Sequence, residues 1–352
     1  MNVRGSAQLT STRTTVSIVS GGLTISESAT VQATSSSVSI TGGSLIVSGT
    51  IGSISTSNIT IAGGQAQFSG PSSFTASQTA LRVQGGSMVV NDTSSIQLSQ
   101  GQVTVSGGGL LMQNNGHIAA TQSVATITGG NVALSNSAQL SLSTSSSLLI
   151  DGGNLGLGDQ STLSSSASHI EVRSGSASFD GSSMATLGPM STLNVTGGNV
   201  ALYSSSHVSI AQQSIMTVNG GSLTGVGQSV LSIGSGSVGQ IAGGNVTFGQ
   251  SATMQVIDWS NTTVSSGSVT FVDSSSLLIS NNSRFIVTGG SVSFLLNNTI
   301  TIGVGSVFGV TGGNVYLAGS VNLHFAGGTA FAQNGSLIVG GQSALRLVDA
   351  EY

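Results

Sequence analysis

Apolar and polar residues alternate along this chain in short runs, and the runs restart in register every twenty-one to twenty-three residues. Between Gly129 and Asp151, Val132 and Leu134 flank Ala133, Leu140 and Leu142 flank Ser141, and Leu148 and Ile150 flank Leu149. Polar stretches, Ser135 to Gln139 and Ser143 to Ser147, separate the three pairs. Alternation of period two sends successive side chains to opposite faces of an extended backbone, so each pair predicts a short, half-buried strand. No window places apolar residues three and four apart over the ten or more positions that would predict a helix.

A glycine pair, sometimes Ser-Gly, anchors each repeat. Its first member falls at Ser20, Gly42, Gly63, Gly85, Gly107, Gly129, Gly152, Ser174, Gly197, Gly220, Gly243, Ser266, Gly289 and Gly312. Two positions before it runs a column of Ile or Val, from Ile40 and Ile61 to Val287 and Val310. Three positions after it runs a second column, including Leu45, Met88, Val132, Val200 and Val315. A period of this size means stacked units, each too small to bury an apolar face alone. Three strands per unit predict an all-β fold, a three-sided parallel β-solenoid (β-helix) of about fourteen coils. At about 4.8 Å per coil, such a stack would be on the order of 70 Å long. Unbroken periodicity predicts one elongated domain over residues 1–352, with a partial N-terminal coil at 1–19. Gly327-Gly328 follows Gly312 early, which predicts shortened coils over 327–352.

Composition narrows the function. Charged residues make up 5% of the chain, with six Lys plus Arg and a formal net charge of −4, which argues against a nucleic-acid surface. No stretch reaches the length and apolarity of a membrane span. Residues 1–20 contain no apolar h-region, so no signal peptide is expected within them. Cysteine is absent, so disulfides are not part of the fold.

Candidate chemistry is sparse. Glu27, Asp92, Asp159, Asp180 and Asp273 all fall at the turn after the first strand, where Asx-type residues tolerate left-handed backbone. Asp151, His169, Glu171 and Arg173 lie close in the repeat lattice, and a surface ion pair is the expected arrangement. His117 and His207 share a column several coils apart, too far for one metal. Trp259 is expected to pack in a corner, with sugar stacking as the alternative. No catalytic residue, cofactor or metal site is expected.

The outer faces carry more. Thr104/Ser106 and Thr126/Thr128 begin a Thr-rich ladder of the kind that ice-binding solenoids present, but Arg82, Leu149, Asp151, Glu171 and Arg173 break it. Ile46, Val89, Leu111 and Ala133 project outward from the first strand as an apolar strip, a candidate lateral interface. Arg4 and Arg13 near one end, and Asp349 and Glu351 near the other, are candidates for head-to-tail contacts between copies. No capping helix is expected at residues 1–19.

The Gly-Gly-[Asn/Ser]-Val-x-Leu units with Ser-rich corners resemble the β-helical stalks of extracellular adhesins, autotransporter passengers and related microbial surface or fibre proteins. The resemblance spans about Val16 to Val339 and is architectural, so no functional residue carries over. It implies a non-enzymatic structural role at the cell surface or outside it, as a filament subunit or adhesin stalk. Homo-oligomers and glycans are the expected partners. A carbohydrate-binding or carbohydrate-active β-helix, including the viral tail-spike type, is the alternative, with ice binding behind it.

Overall fold

The structure, a computed structural model, describes residues 1–48, 51–55 and 57–348. Contacts divide the chain into two compact units, Met1–His169 and Ile170–Tyr352. Every regular element among the described residues of both is a β-strand.

In the first unit one coil consists of Ser87–Val90, Ser95–Ser99 and Gln102–Val105. Each strand pairs in parallel with its counterpart 22 positions on: Ser87 lies opposite Gly109, Ser95 opposite His117 and Gln102 opposite Val124. Inward positions are filled by Met88, Val90, Ile96, Leu98, Val103 and Val105, all buried. Both expected apolar columns line the interior. Of the named members only Leu45 is half-buried, where Ala33, Ala66 and Ala76 underfill the neighbouring coils.

The glycine pair exists because coils approach closely at that corner. A Cβ at Gly130 would sit 2.5 Å from Gly108 O and 2.6 Å from Val105 Cγ1. The same collision recurs at Gly64, Gly86 and Gly153, so the column excludes any side chain. The turn after the first strand has a different requirement. Glu27, Asp92, Asn114, Asn136 and Asp159 take φ between 56° and 64°, as expected for residues whose short polar side chains hydrogen-bond locally. Their side chains also tie neighbouring coils. Gly5 N donates to Glu27 Oε2 (2.8 Å), Gly70 N to Asp92 Oδ2 (3.1 Å) and Asn136 N to Asp159 Oδ2 (3.0 Å).

A third column is made of buried hydroxyls six positions before the first glycine: Ser36, Ser57, Thr79, Ser123, Ser146 and Ser168. Ser123 Oγ accepts from Gly101 N (3.1 Å) and donates to Thr121 O (2.8 Å), so one side chain satisfies backbone groups on two coils. Buried backbone groups need such partners where a corner interrupts the ladder.

The second unit repeats every 23 residues. Asn199 lies opposite Ser222 and His207 opposite Val230. The additional residue enters the corner between the second and third strands. Gln100 and Gly101 alone separate Ser95–Ser99 from Gln102–Val105, whereas Ala211 to Ser214 separate His207–Ile210 from Ile215–Val218. The interior here is wider in its side chains. Phe248, Phe271 and Phe294 form a stack with ring centroids 5.3 and 4.6 Å apart, and Phe285 stacks on Phe308 at 5.8 Å. The hydroxyl column continues through Ser191, Ser214, Ser237, Ser260, Ser283 and Ser306.

The shortened coils expected over 327–352 are not formed. Val307 lies opposite Thr329, Asn314 opposite Ser336 and Asn322 opposite Ala344, all 22 positions apart. Gly335 occupies the place of the second glycine, its hypothetical Cβ 2.8 Å from Gly313 O, while Gly327 and Gly341 are corner residues with positive φ. At the other end, Asn2–Val3, Gln8–Thr12 and Thr15–Ile18 supply all three strands of a coil. Both units are thus parallel β-solenoids, carrying about fourteen coils between them.

Candidate functional site

Strand pairing arranges the outward residues into columns, and those columns are the surfaces on which any function must act. In the first unit the last outward position of the second strand is a hydroxyl on every coil. It runs Thr12, Thr34, Ser55, Ser77, Ser99, Thr121, Ser143 and Ser166 in successive register. Cross-coil bonds join some of them, as between Thr121 Oγ1 and Ser143 Oγ at 3.0 Å. Beside it, Gln78 Nε2 donates to Gln100 Oε1, and Gln100 Nε2 to Gln122 Oε1, both at 3.4 Å. The Thr ladder expected on the third strand is present as the neighbours Thr104 and Thr126, with Arg82 preceding and Leu149 following in register.

The apolar strip is only partly contiguous. Val89, Leu111 and Ala133 are successive partners, but Gln67 stands between Ile46 and Val89. Ile46, Val89 and Leu111 are half-buried against neighbouring columns and Ala133 is exposed. Alongside runs an open trough of about 720 Å³ whose floor is the glycine pairs, edged by Ser44, Gln65, Ser87 and Asn131. None of its lining residues is charged. Inside the same unit an enclosed cavity of about 70 Å³ lies among Val31, Ala33, Ala66 and Phe74. Its surface is wholly apolar, so it offers no hydrogen bond to a ligand.

Arg4 and Arg13 are exposed in the corners of the first coil, where Arg13 has φ 53°. Asp349 and Glu351 lie outside the described residues. In the second unit Glu171 is committed to its neighbours: Arg173 donates Nη2 to Oε2 (3.0 Å) and Nε to Oε1 (3.3 Å), and Thr196 Oγ1 approaches Oε1 at 3.4 Å. A carboxylate held this way is an ion-paired surface group. Asp180 accepts from Ser204 Oγ and Gly181 N, which together hold its carboxyl below the ordinary range.

His117 and His207 stand at the same position of the second strand in their separate units. Burial lowers the pKa of both, and His117 Nε2 lies 3.2 Å from Ser141 Oγ. Among the described residues no group of three or more His, Asp or Glu could hold a metal ion, and no helix is long and apolar enough to cross a membrane.

Trp259 departs from its expected role. It does not pack in the corner; it is 70% exposed. It sits in the lengthened corner of the second unit with φ 64°, in a column with Met190, Gln213, Gly236, Asn282 and Gly305, all of positive φ. Trp259 N donates to Asn281 O (2.9 Å), and Asn281 Nδ2 donates to Asp258 Oδ1 (2.7 Å). The sequence placed Trp259 in a corner correctly, but the wrong inference followed, because nothing in a sequence shows whether a corner residue turns in or out.

Sequence reasoning also missed the hydroxyl columns. The signal was present, a Ser or Thr at a fixed offset from the glycine, but Ser is so frequent in the corners that the invariant position did not stand out. No protein-family model, curated protein or solved structure matches the chain, so its architecture and surfaces are the ground on which function is argued.

Proposed function

We propose that this protein is a non-enzymatic structural component acting outside the cell, a filament subunit or adhesin stalk. The observation carrying this reading is the uniformity of the coils. Among the described residues no connection between strands exceeds four residues, so neither unit has an inserted loop from which a catalytic cleft could be built. Parallel stacking gives every interior strand two backbone ladders, and the buried hydroxyls add links where the ladders turn. A stack held by both is stiff along its axis, the property a stalk or fibre needs. The outer columns are hydroxyls and amides with few charges, which suits close lateral or end-on approach of identical copies without like-charge repulsion.

Electron microscopy of the full chain, with sizing of the same sample, tests the filament reading. Filaments with a regular axial repeat, or side-by-side bundles, are the expected outcome. A monodisperse monomer at all accessible concentrations would exclude self-assembly, and a hydrolase or lyase activity on polysaccharide would overturn the structural role altogether.

A further inference from the structure

We propose that the corner carrying Trp259 is a binding site for a neutral glycan, with the indole as a platform for a sugar ring. Two independent observations single out this residue. Trp259 is the one tryptophan in the chain and is 70% exposed. It also adopts a left-handed backbone conformation, φ 64°, which a bulky side chain takes only under strain. Other coils place Gln213, Gly236, Asn282 and Gly305 at this position, and glycine or a short amide meets the same requirement with less strain. A residue that is unfavourable for backbone and solvent alike, in a column where better residues recur, points to a role in binding.

The surroundings define what would bind. Gly236, the neighbour on one side, has no side chain, and a Cβ built there would meet nothing nearer than Gln213 Cγ at 3.8 Å. Space therefore opens beside the indole. The other neighbours are amides and an acid: Asn281, Asn282, Gln212 and Gln213 are exposed, and Asp258 is half-buried and fixed by its bond from Asn281 Nδ2. One aromatic plane ringed by amide and carboxylate groups lacks the apolar core of a protein–protein hot spot. It matches the two-sided chemistry of a pyranose, whose C–H face packs on an aromatic ring while its hydroxyls pair with Asp, Asn and Gln. Asp258 disfavours an acidic sugar, and no Lys or Arg stands in this corner to attract one.

The test uses the fluorescence of the single tryptophan, which reports this site alone. The full chain is titrated with neutral hexaoses of glucose, mannose, galactose and N-acetylglucosamine, and binding is repeated by calorimetry. A saturable emission change with at least one hexaose is expected, absent with glycerol. Trp259→Asn, which suits left-handed backbone, should weaken that binding at least tenfold by calorimetry while leaving the unfolding midpoint equal or higher. Trp259→Phe should retain part of the affinity. If none of the four hexaoses changes the emission or gives heat, the proposal fails. It also fails if binding survives in Trp259→Asn, or if emission shifts with protein concentration alone, which would make the corner a contact between copies. None of these outcomes depends on whether filaments form.

Discussion

At the second glycine of each pair the adjoining coil leaves no space for a side chain, and the consequence can be measured one methyl at a time. Gly130→Ala drives a Cβ against Gly108 O and Val105 Cγ1 and should cost about 1–3 kcal/mol, the usual penalty of overpacking. Gly109→Ala is the control. Nothing lies within 4 Å of its Cβ position and its φ is ordinary, so it should be neutral or stabilising by about 0.4–1 kcal/mol. Urea midpoints of the two variants should move in opposite directions or differ by that margin. His117 and His207 supply a second test at this scale. Burial holds both below the ordinary value of 6.5, so folding favours neutral imidazole and the unfolded chain takes up the proton more readily. Their contribution is present above pH 6.5 and is lost as pH falls through that value towards the lower folded value. The urea midpoint should therefore drop between pH 7.5 and pH 5, and His117→Gln should flatten part of that slope.

A coil is legible in the sequence where its residues have to be apolar, and less so where they only have to be small or hydroxylic. The Ile/Val column before the glycine pair was read from spacing alone, because each member faces the interior and admits few alternatives. The Phe248–Phe271–Phe294 stack is written in the same way, at intervals of 23 residues. Truncating its middle ring, Phe271→Ala, removes contacts on both sides and should cost about 3–5 kcal/mol. Phe271→Leu should cost less, and thermal melts of the pair would show whether the stack is tightly filled. The corner after the second strand was only half legible. Spacing shows that the second unit gains a residue per coil, but the two possible homes for it have the same polar composition. Only the structure places it between the second and third strands, where Trp259 then finds room at the surface.

Across the whole chain the sequence speaks clearly of architecture and faintly of function, and the reason is physical. A solenoid's interior is constrained coil after coil, so its pattern is repeated and easily read. A binding surface on the same scaffold can consist of one departure from the pattern, as at Trp259, and a single departure has no periodicity to reveal it. The Gly327-Gly328 pair shows the converse error. Glycine was taken as the marker of register, whereas Gly335 alone holds that place and the pair belongs to a corner.

The constant step between paired strands also governs how such a chain can change its length. Removing residues 87–108 from the first unit would join Gly86 to Gly109, which already stands in the column of Ser87. Every inward side chain would keep its facing, and the hydroxyl and glycine columns would close up with one member fewer. A loss of half as many residues would turn polar corners into the interior along the whole remainder of the unit. Insertions and deletions are therefore admissible in whole coils, so divergent copies of this gene should differ in length by multiples of 22 or 23 residues.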